Sequence, residues 1–86
     1  MTGKFARSIQ GHDKGTLYVI VEKGDNKIYV SDGKYKLVNN PKGKNIKHLQ
    51  IIDKRVDDNT IAAIIAENPN ANHFIRCAIK QEEKNV

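Results

Sequence analysis

The hydrophobic period of this chain changes once, near residue 56, and that change limits the fold more than any other feature. Up to Val56, apolar and polar residues alternate in short runs; beyond it, apolar residues recur every three or four positions. A period of two belongs to strands and a period near 3.6 to helices. "KFARSIQ" sets Phe5, Arg7 and Ile9 against Ala6 and Ser8. "TLYVIVE" alternates Leu17, Val19 and Val21 with Tyr18, Ile20 and Glu22, so one face is fully apolar and the other partly so. "KIYVS" places Ile28 with Val30, "KYKLV" places Tyr35 with Leu37, and "IKHLQIIDKRV" centres on Leu49, Ile51 and Ile52. The clusters GHDKG, KGDNK, Asp32-Gly33 and NNPKGKN punctuate these runs as turns or loops, with Asp32-Gly33 a two-residue hairpin signal. About five short strands at this spacing predict a small barrel or sandwich, and closure would remove the exposed edges of so small a sheet.

The tail follows helical rules. In "DDNTIAAIIAEN", Ile61, Ile64 and Ile65 share one helical face, Asp57 or Asp58 can cap the start, and Pro69 ends the run. In "NANHFIRCAIKQEEK", Phe74, Ile75, Ala78 and Ile79 form a second stripe, with Asn70 or Asn72 as the cap. Neither helix is long enough to stand alone in water, so both should pack on the barrel or on each other. An 86-residue chain supports one core, so residues 57–86 are expected as a helical extension of a single domain whose barrel spans 1–56.

Several classes of function find no support. The only cysteine is Cys77, so no intramolecular disulfide can form, and a reducing, cytoplasmic location is expected. "MTGKFARS" lacks an apolar leader segment, and no apolar run approaches the length of a membrane span. His73 and Cys77 stand four apart on the second helix, a spacing that suits two metal ligands or a Cys–His pair. A zinc site needs two more ligands, and the other histidines, His12 and His48, belong to the strand segment. Asp13, Asp25, Asp32 and Asp53 fall at turns or strand ends and form no close carboxylate pair. Neither an enzyme nor a bound cofactor or metal is expected.

The loop "GHDKG" lacks the Gly-Lys-Ser/Thr of a phosphate-cradling loop and opens a strand rather than a helix. It reads as a connection whose glycines supply positive φ. Its amides, with His12 and Lys14, could also hold anions weakly. Charge adds weight to that idea. Residues 1–56 carry twelve Lys/Arg against five Asp/Glu, a net of +7, and residues 57–86 carry three against five, a net of −2, together +5. Lys34 to His48 holds five lysines, one histidine and no acid. A field of that sign gathers polyanions, and each phosphate a lysine neutralises releases counterion.

Read as one segment, "GKFARSIQGHDKGTLYVIV" resembles the KOW motif, an RNA-binding strand-loop-strand element of translation proteins. Gly3, Phe5, Gly11, Lys14, Gly15 and Val19 stand in matching places. "YVSDGKYKLVNNPKGKNIKHLQ" resembles the second half of a bacterial KOW-domain RNA-binding family. That family is similar to the KOW-type large-subunit ribosomal protein of archaea and eukaryotes, number fourteen in their naming. Asp32-Gly33, Lys34, Lys36, Pro41-Lys42, Lys44 and Lys47-His48-Leu49 carry the match. Gly43 and Asn45 interrupt what is usually a denser lysine run, Ala6 replaces a larger β-branched residue, and the tail matches only through "NHFIRCAIK".

The resemblance implies a mainly β fold, a small SH3-like barrel of about five strands with two short C-terminal helices. It also implies contact with structured RNA, above all ribosomal RNA of the large subunit, by an accessory or structural protein of translation. Arg7, His12 and Lys14 would flank or form the first loop. Lys34, Lys36, Lys42, Lys44, Lys47 and His48 would form the basic surface, with Pro41 and Gly43 shaping a protruding loop. Tyr18, Tyr29 and Tyr35 are candidates for base stacking, and Tyr35 is the best placed. No RRM-like aromatic motif or KH-type loop is present, so recognition should rest on RNA shape and backbone. The alternative is a protein-interaction module of the transcription or translation machinery, since one barrel hosts many functions.

Overall fold

The computed structural model describes residues 1–84. Its strands are β1 (Lys4–Ser8), β2 (Leu17–Lys23), β3 (Lys27–Ser31), β4 (Lys42–Asn45) and β5 (Leu49–Arg55), with a single 3₁₀ turn over Ile46–His48 between the last two. Helices α1 (Asp58–Ile65) and α2 (Asn70–Lys84) follow. All five strands form one antiparallel sheet in the order β4-β3-β2-β1-β5, so β1 to β4 run as a meander and β5 returns beside β1. The expected mainly β, barrel-like domain with two C-terminal helices is what forms. No helix among the described residues is long and apolar enough to cross a membrane.

Alternation along the strands builds two cores from one sheet. Ala6, Tyr18, Ile20, Ile28, Val30 and Leu49 cluster on one face. The helices contribute nothing to that cluster, so the curl of the sheet itself covers it. Register shifts between Lys4 and Ala6 and between Ile20 and Glu22 mark bulges, which tighten the local twist. The other face turns Phe5, Leu17 and Val19 toward Val38, Val56, Ile64, Ala71, Ile75 and Ile79, so the helices roof the outside of the barrel. Residues 17–20 are buried on both faces.

Two strand expectations are corrected. "KYKLV" is not a strand, because the Asp32 carboxylate accepts hydrogen bonds from the amides of Lys34, Tyr35 and Lys36 at 2.9, 2.9 and 2.8 Å. Three consecutive amides turned onto one side chain are unavailable to a ladder. The two-residue hairpin expected at Asp32-Gly33 is therefore a wider loop, with Gly33 at φ 73°. The fourth strand lies instead in the stretch expected to protrude: "KGKN" is β4, paired with β3 as Lys27↔Asn45, Ile28↔Lys44, Tyr29↔Gly43 and Val30↔Lys42.

The helices deviate in detail. Asp57 caps α1, its carboxylate accepting from the Thr60 amide at 2.8 Å. Hydrogen bonds from the Thr60 side chain and amide hold the Asp57 carboxyl below its ordinary range. The helix ends at Ile65, and Glu67 takes the left-handed φ of 54° that breaks the chain before Pro69. Asn68, rather than Asn70 or Asn72, caps α2: its side chain accepts from the Asn70 amide at 2.9 Å, with Pro69 in the first turn. Asn72 instead accepts from the Val38 amide at 2.8 Å and ties the 32–40 loop to α2. Ile64 is buried and Ile61 packs beside it, but Ile65 is 71% exposed. On α2 the buried stripe is Ala71, Ile75 and Ile79, and Phe74 lies at its exposed margin. The extension expected over 57–86 is seen as far as Lys84; Asn85 and Val86 lie outside the described residues.

Candidate nucleic-acid interface

The "GHDKG" loop is a turn built on its glycines and a plug built on its aspartate. Gly11 and Gly15 take φ of 97° and 94°, a region costly for residues with a Cβ. The Gly15 amide donates to the Ser8 carbonyl at 2.8 Å and closes the loop. Asp13 turns inward. Its carboxylate accepts from the Ser8 hydroxyl at 2.9 Å, the Tyr18 hydroxyl at 2.6 Å, Lys44 at 2.7 Å and Lys42 at 3.1 Å. The register of β4 explains why both lysines arrive there. Ile28 and Val30 face the barrel interior, so their partners Lys44 and Lys42 face it too. Lys44 is buried and also donates to the Ser8 hydroxyl at 2.8 Å and the Gln10 carbonyl at 3.2 Å.

Burial alone would raise the Asp13 pKa, but hydrogen bonds from Lys44, Tyr18, Ser8 and Lys42 outweigh it and hold the carboxyl well below the usual carboxylate range. Tyr18 moves the other way. Burial, the hydrogen bond to Asp13 and the negative charges of Asp13 and Asp32 push its phenol well above its ordinary value. Both groups stay in their hydrogen-bonding forms, Asp13 ionised and Tyr18 protonated, across the physiological range.

The ten residues expected at an interface therefore fall into separate groups. Lys44 belongs to the interior, and Lys42 is half-buried against Asp13, so neither stands on a protruding loop. Arg7 donates to the Gly15 carbonyl at 2.7 Å and braces the first loop. Exposed His12 and Lys14 stand on that loop. Lys47 is exposed on the 3₁₀ turn, and half-buried His48 accepts from the Ile9 amide at 2.9 Å through its carbonyl. Lys34, Tyr35 and Lys36 are exposed on the loop after β3.

Lys14 and Lys34 meet across an open groove of about 700 Å³ between the first loop, the 32–36 loop and α2. Arg76 and Lys80 line it from α2, with the walls formed by Gly15, Thr16, Leu17 and Ile79. Lys14, Lys34, Arg76 and Lys80 form no ion pair among the described residues. Asp32 and Glu83 also border the groove, but one Asp32 oxygen is saturated by three backbone amides. Arg76 donates to the Gly33 carbonyl and fixes the loop on the helix. Gly33 is required there, because a Cβ would run into the Asn72 carbonyl oxygen.

Reading the sequence for basic stretches missed Arg76 and Lys80, which lie in the acidic tail. Their i, i+4 spacing on a helix, flanking the buried Ile75 and Ile79 stripe, was the available signal. It missed Asp13 as well. Ser8 and Tyr18 stand five residues either side of it on interior strand positions, and a buried tyrosine hydroxyl needs a partner. His73 and Cys77 come within 3.7 Å on the exposed side of α2, and no group of three His, Cys, Asp or Glu is arranged to hold a metal among the described residues.

No family model matches the chain, and no match is found among the curated proteins. The KOW resemblance rests on the residues that carry it. Fold and site together define a small barrel-like domain with a cationic groove between its first loop and its last helix.

Proposed function

We propose that this protein binds structured RNA through the groove between the first loop, the 32–36 loop and α2. One observation carries the reading: Lys14, Lys34, Arg76 and Lys80 come from three separate elements to one groove and lack an internal carboxylate partner among the described residues. Positive charge gathered from distant parts of a chain, four cations against the carboxylates of Asp32 and Glu83, suits a polyanion. Exposed Lys36 and Lys47 extend the field beyond the groove. The KOW resemblance supports ribosomal RNA of the large subunit as the target and an accessory role in translation.

The double variant Lys34→Glu/Lys80→Glu tests this. With fluorescein-labelled ribosomal RNA fragments in anisotropy titrations, it should bind on the order of a hundred-fold more weakly at moderate salt, with an unchanged circular dichroism spectrum. Unchanged affinity would remove the groove from the reading. Migration of the tagged protein with large subunits in a sucrose gradient, lost on RNase treatment, tests the ribosomal target.

A protein-interaction module is the second reading. The cleft of about 410 Å³ beside α1 favours it, where Val21, Val38 and Pro41 adjoin the 71% exposed Ile65. Association that persists at high salt and is lost in Ile65→Asp would support that reading.

A further inference from the structure

Tyr35 is 76% exposed, more than any other large hydrophobic residue among the described residues. A tyrosine this open on an untethered tip would be no surprise, but hydrogen bonds tether the backbone of this tip. Asp32 anchors the three amides of residues 34–36, and the Ser31 hydroxyl donates to the Lys36 carbonyl at 2.6 Å. Arg76 holds the Gly33 carbonyl, and Asn72 holds the Val38 amide at 2.8 Å. The loop therefore carries the aromatic ring into solvent next to Lys34, which lines the groove. The Lys34 ammonium stands 5.1 Å from the ring centroid, within cation–π range. An aromatic platform and a phosphate-binding cation thus share two adjacent residues.

We propose that the groove takes an unpaired nucleotide of its RNA, with the base stacked on Tyr35 and the neighbouring phosphates on Lys34, Arg76 and Lys80. The inference rests on the RNA-binding reading above and narrows it. Inside a duplex both faces of every base are covered by neighbours and only the terminal pairs expose one face, so a duplex can offer the cations its phosphates but offers Tyr35 little. A loop, bulge or single-stranded end offers both. Stacking tolerates any base, so the site reads the unpaired state rather than a sequence. A tyrosine on a tethered backbone also has only two side-chain angles to lose on binding.

The test uses the full chain and two fluorescein-labelled RNAs with equal numbers of phosphates, one a hairpin with an unpaired loop and the other a blunt, fully paired duplex. Anisotropy titrations compare the wild type with Tyr35→Ala and Tyr35→Phe. The wild type should prefer the hairpin. Tyr35→Ala should lose on the order of ten-fold on the hairpin and far less on the duplex, whose only open base faces are at its ends, while Tyr35→Phe retains the preference. Equal losses on both RNAs, or on neither, would overturn the stacked nucleotide and leave groove binding standing. Failure of the wild type to bind either RNA at low salt would overturn the RNA reading itself.

Discussion

Lys34 and Lys44 lie in the same acid-free stretch, yet the fold puts them to opposite uses. Lys44 is buried to 6% exposure, and its ammonium is shared between Asp13, Ser8 and Gln10. Lys34 stands in water at the mouth of the groove, beside an aromatic ring and opposite Lys14. The difference arises from the backbone. β4 pairs with β3 and points Lys42 and Lys44 inward, whereas Asp32 pulls residues 34–36 out of the ladder and points them outward. Charge in a sequence therefore marks a surface only after its internal partners have been subtracted.

The largest effect expected is at Asp13. Asp13→Ala leaves buried Lys44 without its counter-charge, which costs about 3–5 kcal/mol. For a domain this small, thermal melts should show a fall of at least ~10 °C. Lys44→Glu should be as damaging, because it sets a second carboxylate against Asp13. A melt within a few degrees of wild type for either variant would break the contrast between the two lysines. Next in size is Gly33→Ala. A Cβ at φ 73°, pressed against the Asn72 carbonyl, should cost about 1–3 kcal/mol and loosen the 32–36 loop from α2. RNA affinity should fall with it, since Tyr35 and Lys34 depend on that loop; urea denaturation and anisotropy check the two parts separately.

The same contrast shows what a sequence discloses. The strands with apolar alternation, "TLYVIVE" above all, are legible because their core partners are apolar. β4 is illegible by that rule, since its inward residues are lysines and their partner is a carboxylate 29 and 31 positions away in the first loop. "KYKLV" fails the other way: its alternation is real, but side-chain capture of the amides by Asp32 outcompetes the ladder. The groove was half legible. Lys14 is visible as a loop cation and Lys34 as part of the acid-free basic stretch, whereas Arg76 and Lys80 join them only through the packing of α2 on the sheet. Pattern reads short-range order well, and ion pairs between distant segments poorly.

Titration sharpens the comparison at a smaller scale. Asp13 has its folded pKa depressed, so its contribution to stability is complete above the unfolded value near 4 and is lost as pH falls below it. Tyr18 has its folded pKa raised, so its contribution is complete below about 10 and is lost as pH rises further. Denaturant midpoints should therefore be level between about pH 5 and 9 and fall on both sides. Asp13→Asn should flatten the acid limb by removing the titrating group. A wild-type midpoint that holds from pH 5 to pH 3 would show that Asp13 is not linked to folding.

The finest test takes the lysines one at a time. A lysine that touches phosphate contributes about one unit to the slope of log affinity against log salt, and an internal lysine contributes none. Lys14→Ala, Lys34→Ala and Lys80→Ala should each lower that slope by about one. Lys42→Ala should leave it unchanged, because Lys42 is paired with Asp13 at 3.1 Å and should keep that pair when RNA binds. Lys42 is the informative member. It lies in the same basic stretch as Lys34, and nearby Lys44 retains the Asp13 pair, so the variant should stay folded and its slope can be read. A slope that falls with Lys42→Ala as far as with Lys34→Ala would mean that the ion pair opens on binding. The boundary between interior and interface lysines would then move by one residue.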